Sequence, residues 1–385
     1  MIILHFLLAA LAVTALAVRP GSTGGSMIAL GAAVVDVALG ARVDPVIHIV
    51  APTFIFLAAA LTLAATLERA GLGARIATAI AVRAHGNSYL LYGYVCLTCA
   101  ALTATVSLDG AVVLMVPVLL ALRRHAVPFR PLFLGTIVVA NAFSIAVPQG
   151  NPTNLLIIER LGIAPSAFLA HMFVPGLLAA VLCAAAVAAS ERRSLATPHA
   201  LASEARDPLS PTERSAVLGF LTAALAAWAA PVLGLPTWWP FSAAVVVALI
   251  ATRMRPATMV PWQIGVQIAC TLLVVQALGV PDFGRVGSAL PGLLLVAATV
   301  GAAAALLNNL PVGASVVALV TAAPLGYAAS IGLAVGSLAT PQGSVATLLA
   351  SELAGPDAPA PPIRRFAPLA AGAVGLATLA AWLTL

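Results

Sequence analysis

Lysine is absent from this chain, and charge of either sign is scarce: 8% of the 385 residues are charged against 62% apolar. Soluble domains carry about a quarter charged residues, so this scarcity excludes a soluble protein and makes the bilayer the solvent for most of the chain. Cysteine is also sparse. Cys96, Cys99, Cys183 and Cys270 all lie inside apolar runs, which excludes a disulfide framework. The Cys96–Cys99 pair reads as small packing residues. The formal charge of +6 gives no nucleic-acid surface, because the arginines sit singly or in pairs between apolar runs, where they act as orientation signals. His5, His48, His85, His125, His171 and His199 form no ligand spacing. No metal or cofactor is expected beyond a coupling ion. The acidic candidates for intramembrane catalysis, Asp36 and Asp109, carry no paired signature, so an enzyme is not expected. All-arginine basicity with abundant alanine points to a GC-rich bacterial genome, hence to a multi-pass protein of the bacterial cytoplasmic (inner) membrane.

What the chain has in quantity is apolar length. Runs at 2–18, 27–41, 46–67, 131–158, 166–189, 215–235, 240–252, 263–280, 326–351 and 366–385 read as ten crossings of a hydrocarbon layer about 30 Å thick. The first, with no positive residue before it, reads as a retained span with its N-terminus outside. Two further runs differ. Residues 88–122 have arginine on both flanks and a polar interruption, Ser107 to Gly110, and so predict a re-entrant hairpin. Residues 287–323, interrupted at Asn308, Asn309, Leu310 and Pro311, predict a second hairpin opening to the other face. With this layout 15 of the 18 arginines fall on the cytoplasmic side and only Arg42, Arg160 and Arg285 outside. Residues 69–83 read as an arginine-bearing loop, residues 191–214 as a solvated cytoplasmic linker, and Trp238 and Trp239 as part of an aromatic belt.

One unusual stretch occurs twice. SIAVPQGNPTNLL starts at Ser144 and SLATPQGSVATLL at Ser337, 193 residues apart, with seven of thirteen positions identical. The linker divides the chain into halves of five spans plus one hairpin, and because five is odd, the second half is expected to enter the membrane upside down. The predicted fold is an all-α polytopic membrane protein of two inverted repeats, each with five transmembrane helices and one hairpin. Repeat one is 1–190, with hairpin 88–122 and broken helix 131–158. Repeat two is 215–385, with hairpin 287–323 and broken helix 326–351.

Backbone that leaves the helix at mid-membrane survives only against protein or a water-filled cavity. Gly150 with Pro152, and Pro341 with Gly343, make such breaks, whose half-helix N-termini offer N–H groups to an anion. Asn151, Thr153, Asn154, Ser344 and Thr347 are side chains able to join them. Asp109, a carboxylate inside an apolar hairpin, reads as a proton carrier or cation ligand, or as the cap of the returning helix. A sodium ion would be held by Asp109, Asn151 and Asn154. Asn308 and Asn309 read as substrate contacts or turn formers. Asp36, Glu159 and Glu352 read as interfacial or packing residues.

These motifs resemble the ion transporter superfamily, which holds arsenite permeases, sodium/proton antiporters and sodium-coupled dicarboxylate carriers. SLDGAVVLMVPV and LLNNLPVGASVVALV are similar to its two hairpins, PQGNPTNLL to its first broken helix, and LATPQGSVATLL to the arsenite permease form of the second. Neither hairpin carries the Ser-Asn-Thr of the dicarboxylate carriers, so the resemblance is closest to the arsenite permease branch. It implies an elevator-type secondary transporter, arsenite or antimonite efflux coupled to protons, a homodimer, and a soluble ATPase subunit if the protein is part of a pump. The alternatives are a sodium-coupled di- or tricarboxylate symporter, a sodium/proton antiporter and, as a different class, a channel. Carried over by position, the site is Ser107, Asp109, Gly150, Asn151, Thr153, Asn154, Asn308, Asn309, Gly343, Ser344 and Thr347.

Overall fold

The structure, a computed structural model, describes residues 2–18, 23–123, 127–199, 208–252, 262–277 and 286–385. Arg19, Arg124, Arg206, Arg253, Arg255 and Arg285, which enter the orientation argument, lie outside the described residues, as do His125, residues 200–207 of the linker and residues 278–280 of the eighth run. Every regular element among the described residues is helical. Seven helical stretches are long and apolar enough to cross a membrane, and shorter apolar helices fill the space between them.

Helices α1 (Ile2–Val18) and α2 (Thr23–Ala38) pack together, and Asp36, fully buried, meets His5 Nδ1 at 2.7 Å. Spacing could not reveal this pair, because its members lie 31 residues apart. Helix α3 (Asp44–Arg69) is followed by α4 (Leu72–Ala84), where the sequence had indicated a loop. Gly73, Ala77, Ile80, Ala81 and Ala84 recur at helical spacing and are buried, while Arg83 is exposed. The arginines had masked that stripe. Arg75 grips Glu213 through Nε and, at 2.7 Å, through Nη2, fixing α4 to the first turn of α10 (Pro211–Val232). The described residues of the linker hold one short helix, α9 (Arg192–Leu195).

Helix α8 (Pro165–Ser190) serves as a ruler across the layer, its 26 residues rising about 39 Å. Both ends of α5 (Ser88–Leu122) return to its C-terminal end. Tyr89 Oη donates to the Arg192 carbonyl at 3.1 Å. At the other end the Arg123 guanidinium lies 4.7 Å over the Phe129 ring, and Arg130 Nε donates to Glu191 at 3.1 Å. The reversal occurs at Val106 (φ −119°, ψ 17°) and Ser107 (φ 70°, ψ 169°). The second hairpin joins α13 (Leu290–Leu307) to α14 (Asn309–Leu319) through Asn308, at φ 85° and ψ 145°. Ser107 and Asn308 thus share one left-handed, extended-ψ geometry that few non-glycine residues adopt. The far part of α14 meets the opposite end of the ruler: Arg160, just before α8 begins, donates from Nε to the Val317 carbonyl at 3.3 Å. The two hairpins therefore meet opposite ends of α8.

The two breaks match as closely. Helix α6 (Phe129–Phe143) runs into 3-10 turns and restarts as α7 (Pro152–Leu161), and α15 (Ala323–Val335) restarts as α16 (Val345–Ala354). Val147 (φ −133°, ψ 150°) corresponds to Thr340 (φ −135°, ψ 153°), and Asn151 (φ −142°, ψ 134°) to Ser344 (φ −127°, ψ 134°), both at the offset of the sequence repeat. Helices α11 (Trp238–Thr252), α12 (Trp262–Ala277) and α17 (Ile363–Thr384) complete the array.

Candidate functional site: a cavity ringed by helix N-termini

Between the hairpin tips and the breaks lies a cavity of about 60 Å³, room for roughly four waters. Its lining has a simple rule. Leu108 and Asp109 open the returning arm of α5, Asn151 and Pro152 open α7, Asn309 and Leu310 open α14, and Val345 opens α16. Four helix N-termini converge on one space and bring the positive ends of their dipoles together, although the first-turn N–H groups of α14 and the N–H groups of Thr153 and Asn154 in α7 already have acceptors. Leu57 and Leu61 of α3 close the remaining side with an apolar wall. Asp109 is the one ionisable residue in the lining, and no basic side chain reaches it.

Helix starts inside a bilayer need caps, and the sequence supplies them. Asn151 Oδ1 accepts from Thr153 N at 3.1 Å, and Asn308 Oδ1 from Leu310 N at 3.0 Å. Ser107 Oγ stands at the equivalent place, 3.5 Å from Gly110 N. At α16 the cap comes from the neighbouring hairpin: Asn309 Oδ1 accepts from Val345 N at 3.3 Å, and the Ser344 hydroxyl stays buried with no hydrogen-bond partner. Asn309 N also donates to the Gly343 carbonyl at 2.7 Å, and Asn308 Nδ2 to the Gln342 carbonyl at 2.9 Å. The second tip and the second break are thereby one unit. In the first half Gln149 Nε2 makes the corresponding link, donating to the Ala104 carbonyl at 2.7 Å.

Of the residues expected from sequence, Asp109, Asn151 and Asn309 line the cavity, and Ser107, Asn308 and Ser344 hold the cap positions around it. Gly150 and Gly343 build the turns. Thr153 and Asn154 stand behind the lining: Thr153 Oγ1 donates to Asn151 Oδ1 at 2.9 Å. Asn154 Nδ2 spans back to the carbonyls of Ser144 at 2.8 Å and Val147 at 3.1 Å. Thr347 is buried at the place that corresponds to Asn154. Among the three residues proposed for sodium, Asp109 and Asn151 share the cavity and Asn154 does not. Glu159 is half-buried and Glu352 exposed, and neither lines the cavity. Sequence reasoning passed over Leu57 and Leu61, for which no motif exists, and Gln149, which the repeated Pro-Gln-Gly could have flagged.

The bracing role of Asn154 is testable. Asn154→Ala strands two carbonyls in a water-poor interior, a cost of about 2–3 kcal/mol. The thermal midpoint of the detergent-purified protein should fall, while the KM of the surviving protein shifts less than about threefold; a KM change without destabilisation would make Asn154 a ligand.

In comparison with known proteins, a family model described as a citrate transporter (CitMHS) matches residues 1–339, a range that holds both hairpin tips and the first break. A search of curated proteins finds no match.

Proposed function

The chain belongs to the citrate transporter family, a family of secondary transporters, and from that premise we propose that it moves a citrate-like di- or tricarboxylate together with a proton or sodium ion. The observation that carries this reading is the ring of four helix N-termini without a basic side chain. Carboxylate oxygens gain from the converging positive ends of the helix dipoles, as anions at half-helices do. Asp109 then sets the coupling. A bare carboxylate about 4 Å from the anion would oppose it by about 4 kcal/mol at an effective dielectric of 20. A proton or sodium ion on Asp109 removes that opposition, so anion and cation bind together or hardly at all. Leu57 and Leu61 present a non-specific wall, suited to an elevator movement of hairpins and broken helices along the rest. A homodimer in a bacterial inner membrane goes with this reading.

A second reading, arsenite or antimonite efflux, draws on LATPQGSVATLL and on the small cavity, which holds an inorganic oxyanion as it stands but must widen for citrate. Only that reading calls for a soluble ATPase partner. Proteoliposomes separate the two. Labelled citrate should accumulate under an inward proton or sodium gradient and stop when the gradient is collapsed. Absence of carboxylate uptake, with arsenite resistance conferred on an efflux-deficient host, would replace the first reading with the second.

A further inference from the structure

The proline of each Pro-Gln-Gly turn lines one of two unlike clefts. Pro341 lines a cleft of about 1190 Å³ at the C-terminal end of α8. Its rim carries Arg130, Arg192, Arg193, Arg364 and Arg365 with Glu191 as the one acidic residue. Glu191 is taken up by Arg130 at 3.1 Å and Arg365 at 3.8 Å, and Arg192, Arg193 and Arg364 have no ion pair among the described residues. All three are exposed. Pro148, the counterpart of Pro341 in the repeat, lines a cleft of about 200 Å³ at the other end of α8, among Glu159, Thr237 and Trp238. No basic side chain lines that mouth, since Arg160 turns to the Val317 carbonyl. The turns differ in access as well: Gln342 is exposed, whereas Gln149 is 1% exposed and bonded to Ala104.

We propose that the arginine-rimmed cleft is an anion-collecting vestibule, in which Arg192, Arg193 and Arg364 concentrate a polyvalent carboxylate above Pro341 and give the carrier its higher apparent affinity on that face. The inference rests on the carboxylate reading of the cavity. Three guanidinium groups with no ion pair among the described residues, set around a concave wall, raise the local concentration of a multivalent anion, and they do so less at high ionic strength, where the screening length falls below about 8 Å. From the vestibule the path is short in terms of bonded neighbours: Pro341 precedes Gln342, whose carbonyl holds Asn308, and Asn308 precedes the cavity residue Asn309. The one charged side chain that the opposite mouth presents among the described residues is the carboxylate of Glu159. The two faces therefore differ in capture, while the cavity they share fixes the turnover. Arginine at the inner mouth also serves membrane orientation, but orientation needs only the charge count, whereas capture needs the charges in this cleft.

Inside-out and right-side-out vesicles present the two mouths separately. The triple variant R192Q/R193Q/R364Q should raise the KM for citrate about tenfold in the vesicles that expose the arginine cleft, with maximal rate within about twofold. It should also flatten the rise of KM with salt, and leave the other orientation unchanged. The triple lysine variant should restore both. Single variants Arg192→Gln and Arg364→Gln, each expected to raise KM about two- to threefold, keep the test open should the triple variant fail to insert. Wild-type KM and salt dependence in all variants, with citrate uptake intact, would overturn the vestibule and leave the cavity assignment standing. An effect that disappears in pure phosphatidylcholine proteoliposomes would assign the arginines to anionic lipid headgroups and equally overturn it. Wild-type vesicles that take up no carboxylate from either side would overturn the functional reading, and the vestibule with it.

Discussion

Asp109→Asn should abolish accumulation of substrate against its gradient. The asparagine has nearly the shape of the aspartate and keeps the turn, so the fold and the converging helix starts stay in place. What disappears is the group proposed to take up a proton or ligate a cation. A charged interaction contributes about 1.5–3 kcal/mol, and each 1.4 kcal/mol is about a factor of ten, so cation-driven uptake should drop about a hundredfold. Downhill exchange of citrate should survive far better, because a neutral amide no longer opposes the anion. Accumulation driven by a proton or sodium gradient, set beside counterflow with no gradient, distinguishes loss of coupling from loss of binding. Asp109 lines a cavity with no other ionisable group, so no neighbour is placed to take over. Undiminished gradient-driven accumulation in the variant would remove Asp109 from the mechanism.

Much of this architecture is legible in the sequence, because a bilayer enforces a few strong rules. The first hairpin occupies Ser88–Leu122, the range set by its arginine flanks, and the tips fall at Ser107 and Asn308 where polar residues interrupt apolar runs. The repeat of Pro-Gln-Gly returns as a repeat of backbone angles at Val147 and Thr340. Other features were hidden for identifiable reasons. Helix α4 escaped because Arg69, Arg75 and Arg83 break its hydropathy, although its buried residues keep helical spacing. Residue type shows that Thr153 and Asn154 are polar in a broken helix, but not which way they point, and both turn back to brace the break. The substrate class was the least legible. Residue motifs pointed to the arsenite branch, whereas the match over residues 1–339 favours the carboxylate alternative. On the proposed reading the physical reason is that the anion is held by helix dipoles, whose specificity leaves little trace in side-chain identity.

Gly150→Ala and Gly343→Ala carry the other large effect, and they should differ from each other. A β-carbon at Gly150 would lie 2.2 Å from the Ser144 carbonyl oxygen, and one at Gly343 would lie 2.1 Å from that of Ser337. Neither obstacle is a side-chain tip that can rotate aside, so in each case the backbone must move. In the first break the obstructing carbonyl is itself held, accepting from Asn154 Nδ2 at 2.8 Å, and the turn is tied to the hairpin through Gln149. Movement there costs the clash and the bonds together, about 3 kcal/mol or more, and Gly150→Ala should scarcely accumulate in the membrane. In the second break Thr347 replaces the Asn154 brace, and Gln342 is exposed. There no side-chain bond among the described residues holds the obstructing Ser337 carbonyl, so it can yield, but its movement strains the bonds from Asn309 N to the Gly343 carbonyl and from Asn308 Nδ2 to the Gln342 carbonyl and deforms the cavity wall. Gly343→Ala should therefore reach the membrane in near-normal amount with uptake down at least about tenfold. Quantitative immunoblots of the membrane fraction beside citrate uptake measure both quantities. Equal losses of protein for the two alanines would mean that the two turns are equally rigid, and the difference drawn from Asn154 and Thr347 would then be wrong.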